Sequence, residues 1–274
     1  SRAGAAVLAV GGLLVLASCS VVLKSDQCST DADCQKKGGP FASAVCQQGL
    51  CASGAAVNGG SSCETNAACG SNAICNKTSR RCVSLLSEDC VRVVGDYANE
   101  EAVVIGSVLR IVGEGLGGSP SMVAGAELAL NEITEVARGL PAVGGGRPRP
   151  LVLVECNQVA DPLRAARYLV DTVGVPAIIG ASSSGVTTTL ATEVTIPSKT
   201  LLLPPTATSP TLTDLADDGL VWRTSPSDTF QGRVMAQLYP RLEARVIAET
   251  PAAAGNVRVA LAVKGDTYGK GLRD

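Results

Sequence analysis

The sequence predicts an α/β domain with a doubly wound parallel sheet, preceded by a small disulfide-rich segment. Three observations carry this. From Ala102 onward β-branched runs alternate with amphipathic stretches, the pattern of parallel βαβ units. Of the 11 cysteines, most crowd into residues 28–90, among Gly, Ser, Asn and Asp with almost no aliphatic periodicity. A segment of that kind cannot build a core, so disulfides must hold it. Thirdly, a short apolar run stands ahead of the cysteines, at residues 5–16.

The strands are expected over 103–109, 151–155, 177–179, 201–203, 221–223 and 257–263. The first helix is expected over 121–137, with Ser119 as its cap and Pro120 in its first turn. Ala124, Leu128, Ala129 and Ile133 give it an apolar face of helical spacing. Asp161 and Pro162 open the second helix in the same way. The sequence starts at Ser1 rather than Met and stops soon after the last strand-like run, so it reads as a piece of a longer protein.

The apolar run after Arg2 is shorter than the roughly 20 residues that cross a bilayer, and it suits a signal peptide. It ends in Leu16-Ala17-Ser18-Cys19, which looks like a lipobox. Cys19 is then the lipidated first residue of an exported, membrane-anchored protein, periplasmic or at the cell surface. The rival reading is an ordinary signal peptide in which Cys19 joins the disulfides.

Lipidation of Cys19 leaves an even number of cysteines. Cys28, Cys34, Cys46 and Cys51 form one group of four, and Cys63, Cys69, Cys75 and Cys82 a second, each opening with the same spacing. Zinc is the competing reading, but zinc sites favour closer ligand pairs and a reducing compartment. Four cysteines allow three connectivities, and spacing does not choose among them. Analogy with small cysteine-rich modules favours first to third and second to fourth. Cys90 and Cys156 remain, and a bridge between them pins the chain ahead of the domain to its sheet; a plain buried thiol at Cys156 is the alternative. The divisions are thus 1–19, 20–90 with modules at 28–51 and 63–82, and a domain over 101–274.

Several function classes fall away. A net charge of −2 without a Lys/Arg run does not make a nucleic-acid face. The chain has no histidine, which removes Ser-His-Asp and Cys-His catalysis and imidazole-bound metals, so no catalytic or metal-ligating residue is assigned and no cofactor is expected. Gly113-Glu114-Gly115-Leu116-Gly117-Gly118 matches the dinucleotide fingerprint by letter, but the acid that should bind ribose, Glu155, comes far too late. A flexible rim loop is the better reading of those glycines.

Three stretches resemble the leucine/isoleucine/valine-binding class of type I periplasmic binding proteins. They are Ile105-Gly106 through Gly125-Ala126-Glu127-Leu128-Ala129, then Ile179-Gly180-Ala181-Ser182-Ser183-Ser184-Gly185, then Pro205-Thr206-Ala207-Thr208-Ser209-Pro210. Val221-Trp222-Arg223-Thr224, Asp228 with Gln231-Gly232, and Asp266-Thr267-Tyr268-Gly269 extend the likeness in order. The resemblance implies a two-lobed binding protein, the first lobe over about 101–250 and a truncated second lobe beginning at 256–274. It implies that Ser184 and Thr208 hold the α-carboxylate of an amino acid, with Ser183 beside them, while Thr206 offers its backbone carbonyl to the amino group. Helix capping is the alternative task for each. Relatives often carry an aromatic side chain in the first glycine-rich loop, where this chain has Gly118 and its neighbours, so leucine is not named as the ligand. The expected role is capture of an amino acid or amide for a membrane permease. The competing one is a ligand-sensing regulatory lipoprotein that uses the cysteine modules as its contact surface.

Overall fold

The computed structural model describes residues 28–36, 45–47, 50–52, 61–111, 120–142 and 144–273. Cys19 with its apolar run, and the glycine-rich loop at 113–118, lie outside the described residues.

The first cysteine group surrounds helix α1 (Asp31–Gln35) and the antiparallel strands β1 (Val45–Gln47) and β2 (Leu50–Ala52). Cys28 is bonded to Cys46, first to third, and Cys34 is disulfide-bonded as well. Cys51 stands in β2 opposite Cys46. Asp33 accepts from the backbone N–H groups of Ser29 and Thr30, and Asp31 accepts from Cys46 N–H at 2.7 Å. The bonds from Ser29 and Thr30 hold the Asp33 carboxyl below the usual carboxylate range, and the one to Asp31 closes the module on itself.

The second group repeats the plan with β3 (Ala73–Asn76) paired antiparallel to β4 (Arg81–Ser84). Cys63–Cys75 and Cys69–Cys82 follow the first-to-third and second-to-fourth order. These sulfurs are spent on one another, so they are not thiolate ligands for zinc. The pairing favoured by analogy is therefore the one present here.

Strands β5 (Cys90–Val94), β6 (Val103–Leu109), β7 (Leu151–Asn157), β8 (Ala177–Gly180) and β9 (Leu201–Leu203) form one sheet in the order β5-β7-β6-β8-β9. All neighbours are parallel except β5, which runs antiparallel along β7. This is the doubly wound α/β class that the alternating pattern predicts. Cys90 and Cys156 face each other in the β5–β7 ladder and are bonded.

Helix α2 (Pro120–Glu135) covers one face, where Leu130 meets Leu151 and Leu153. The other face is covered by α3 (Pro162–Arg167), continued by a π-helical stretch Tyr168–Val173, and by α4 (Ser184–Leu190), continued through Ala191–Thr195. There Ala165, Leu169, Leu190 and Val194 pack on Val108, Val154, Ile178 and Leu202. Strands covered on both faces carry unbroken apolar runs, which is why 151–154 has no polar alternation. Gly106 leaves room for Leu169 to pack on β6, since a Cβ there would stand 2.4 Å from Leu169 Cδ1.

Three expectations are corrected. Residues 221–223 make only a single bridge, Val221 to Leu202, because Val221 N–H is held by the Asp217 carboxylate, which curls the chain into a turn. Residues 257–263 form no strand, for no neighbouring strand stands beside them among the described residues, and Val259 and Leu261 are exposed. The inward face of α2 is Ala126, Leu130 and Ile133, whereas Leu128 is 59% exposed. Apolar residues lie on both sides of α2, and helical spacing alone could not say which side meets the sheet. The chain closes with α5 (Asp228–Glu249) and α6 (Thr267–Arg273).

Candidate functional site

At a doubly wound sheet's carboxyl rim, ligands bind where the strand order reverses. Here the rim is built by the segments after β7, β8 and β9, and hydrogen bonds lace them together. Gln158, buried just beyond β7, accepts from Ser182 N–H at 2.9 Å and donates to the Ser182 hydroxyl. Thr206, beyond β9, donates its hydroxyl proton to Ser182 O at 2.9 Å. At β8's end Gly180 is required, because a Cβ would stand 2.4 Å from the Val108 carbonyl oxygen.

Ser184 is 2% exposed. Its Oγ accepts from Thr208 N–H and from Ser209 N–H, each at 3.2 Å. A hydroxyl has two acceptor lone pairs and one proton. Both lone pairs are thus engaged, and the proton is taken by no acceptor among the described residues. Ser183 occupies the N-cap position of α4 yet makes no side-chain cap bond. Thr208 differs, because its Oγ1 donates to Asp228 Oδ2 at 2.9 Å, and Asp228 N–H returns a bond to Thr208 O at 2.8 Å. Arg223 donates to the carbonyls of Thr208 and Ser209 and to the Thr213 hydroxyl.

A cavity of about 460 Å³ opens beside these loops, lined among others by Ser183, Ser184, Gly185, Asp161, Asp266 and Tyr268. Asp161 is held in place by capping α3, accepting from Arg164 N–H at 2.9 Å. Asp266 accepts from Gly269 N–H at 2.9 Å and pairs with Lys264, which keeps its carboxyl below the usual range. The structure therefore brings Ser183 and Ser184 to the cavity, with Thr206 and Thr208 on the adjoining loop. Sequence reasoning assigned no site role to Asp161, Asp228, Asp266 or Tyr268, although three of them stood in quoted motifs. A carboxylate or phenol one turn beyond a loop signals a site only once the tertiary structure puts it there.

Polar loops thus meet at the rim of an open parallel sheet beside a cavity of about 460 Å³, the place where sheets of this kind commonly take ligands. Residues 126–243 match the model of the receptor family ligand binding region. That match, over less than half of the chain, agrees with the likeness to type I periplasmic binding proteins. Similar solved structures include an ABC transporter substrate-binding protein from Desulfitobacterium hafniense, at 29% identity over 63% of this chain and 45% of that one, with a TM-score of 0.45. A leucine-binding protein from Thermotoga maritima is 24% identical over 62% of this chain and 43% of its own, with a TM-score of 0.44. A branched-chain amino acid transporter substrate-binding protein from Streptococcus pneumoniae, solved with isoleucine, is 22% identical over 50% and 37%, with a TM-score of 0.43. The chain spans less than half the length of these proteins. No curated protein matches it.

Proposed function

We propose that this chain is part of an extracytoplasmic solute-binding lipoprotein, anchored to a bacterial membrane through Cys19, that captures an amino acid or amide for an ABC-type permease. The observation that carries the reading is the state of Ser184. Its lone pairs are engaged by two backbone N–H groups, so it can only donate, and it borders the cavity. A lone donor of this kind suits an anionic group, and the uncapped Ser183 hydroxyl supplies a second. The family match over 126–243 supports the same role.

The test is calorimetry on the full-length protein with a panel of common L-amino acids and their amides. Ser183→Ala is expected to weaken binding by roughly tenfold to a hundredfold, the loss of one hydrogen bond to a charged group, with no change in melting temperature. Ser184→Ala is expected to weaken binding and lower stability together, since it orphans two backbone N–H groups. A wild-type protein that binds no panel member refutes the reading. So do two variants that bind as the wild type does.

The alternative, a ligand-sensing lipoprotein, draws on α3, whose cap Asp161 and whose Leu163 line the cavity, while Tyr168 just beyond its end bonds to Ser84 of the second cysteine module. Ligand-induced protection of residues 63–85 in hydrogen exchange favours it over transport.

A further inference from the structure

The second cysteine module has a centre made almost wholly of cysteine. The cluster there is Cys63, Cys69, Ala73, Cys75 and Cys82, while Ile74 and Leu85 belong to the core of the α/β domain. We propose that, once the bridges Cys63–Cys75 and Cys69–Cys82 are reduced, this module becomes a four-cysteine site for zinc or another thiophilic divalent ion. It then keeps its shape through disulfides in one redox state and through a metal in the other. This site is independent of the solute-binding reading.

The sulfurs already stand together. Those of Cys63, Cys69 and Cys75 all lie within 4.8 Å of one another, and Cys82 is bonded to Cys69. Around tetrahedral zinc, with Zn–S bonds of about 2.3 Å, neighbouring sulfurs stand about 3.8 Å apart, so the bonded pairs need to part by only roughly 2 Å. The cysteines are also held by bonds that reduction does not touch. Cys75 and Cys82 face each other in the β3–β4 ladder. Cys75 N–H donates to Asn66 Oδ1 at 3.0 Å, Cys63 N–H to Arg80 O at 2.9 Å and Cys82 N–H to Ser61 O at 3.1 Å. Asn66 in turn donates to the carbonyls of Tyr97 and Asn99, which ties this frame to the chain ahead of β6. A ligand set kept in place without its bridges gives up little freedom on taking an ion. Arg80 and Arg81 adjoin Cys82, and neighbouring guanidinium groups favour thiolate over thiol. They also offset the negative charge of a zinc tetrathiolate. The first module brings Cys28, Cys34 and Cys46 equally close, so a measurement has to tell the two modules apart.

The full-length protein is reduced with a water-soluble phosphine and titrated with cobalt ions, then zinc. Each disulfide accepts two electrons from one phosphine, which leaves as the phosphine oxide with an oxygen from water, and two thiols form. The metal ion then displaces the four thiol protons of the module as four metal–sulfur bonds form. The bridged protein is expected to take neither ion. The reduced wild type should show the visible absorption of a tetrahedral cobalt thiolate, bleached by zinc. In native mass spectrometry it should carry one zinc ion more than a variant with Cys63→Ser, Cys69→Ser, Cys75→Ser and Cys82→Ser together. Cys69→His restores a ligand and should keep that ion with an altered cobalt spectrum. Hydrogen exchange distinguishes a built site from loose thiols: the amides of β3 and β4 should be protected in reduced protein with zinc and unprotected without it. A reduced wild type that holds no more zinc than the four-serine variant overturns the proposal. So does equal uptake by the bridged protein, or zinc uptake that leaves β3 and β4 unprotected.

Discussion

The two cysteine modules share their opening spacing and their first-to-third bridges, yet they stand in different relation to the domain. Among the described residues, the polar bonds of the first run within it, from Asp33 to Ser29 and Thr30 and from Asp31 to Cys46. The second is joined to the sheet's helices. Tyr168 donates its hydroxyl to Ser84 O at 2.7 Å, Asn76 donates to Thr172 O at 3.3 Å, and Ile74 and fully buried Leu85 belong to the same core as Leu169. Just beyond it, the carboxylates of Glu88 and Asp89 hold Arg164 of α3 at 3.0 and 2.6 Å, which raises the guanidinium pKa. A shared first-to-third bridge thus does not make equal modules. Bridges shape a small module, but the residues between them decide whether it is an appendage or part of a larger core.

The largest expected effect comes from the bridge that ends the docked segment. Cys90→Ala with Cys156→Ala opens a loop with a sequence separation of 66, and the chain-entropy model puts the loss at about 4 kcal/mol in denaturant unfolding. A smaller loss, about 3 kcal/mol, follows from opening Cys63–Cys75, with a separation of 12. That loss should appear in the main unfolding transition of the α/β domain, because module and domain share a core. Opening Cys28–Cys46 should leave the same transition where it is. If both pairs shift it equally, the contrast between the modules is wrong.

The smallest effect sharpens the contrast at one contact. Tyr168→Phe removes the hydroxyl bond to Ser84 and should cost about 1 kcal/mol. Burial pushes the Tyr168 phenol up to about 12, against about 10 in an unfolded chain. The folded protein keeps this proton longer than the unfolded chain does, so the contribution is intact below pH of about 10 and is lost as pH rises through about 12. Alkaline titration of stability should show this slope in the wild type and lack it in the Phe variant.

Much of the fold was legible because its signals are local. The strands at 103–109 and 201–203 were placed to the residue, since runs of Val, Ile and Leu bounded by turn residues mark buried parallel strands. Pro120 and Asp161-Pro162 marked helix starts for a similar reason. The strand expected at 257–263 failed because a strand exists only beside a partner, and no spacing within the segment supplies one. Of the face expected for α2 only Ile133 meets the sheet, while Leu128 is exposed, because two apolar stripes have the same period.

Residue types and order along the chain by themselves determined the α/β class, the cysteine grouping and the hydroxyl-rich loops that meet at the rim. They could not set which way each hydroxyl faces. A serine or threonine both donates and accepts, and only its neighbours in space decide which remains on offer. Thr208 N–H and Ser209 N–H leave Ser184 a donor, and Asp228 leaves Thr208 an acceptor. Those partners lie 20 to 25 positions away along the chain. The same holds for the docking of the second module, where Tyr168 reaches Ser84 across 84 residues. Contacts at such separation come from the sheet order and the helices laid across it, and they exist only once the chain has folded.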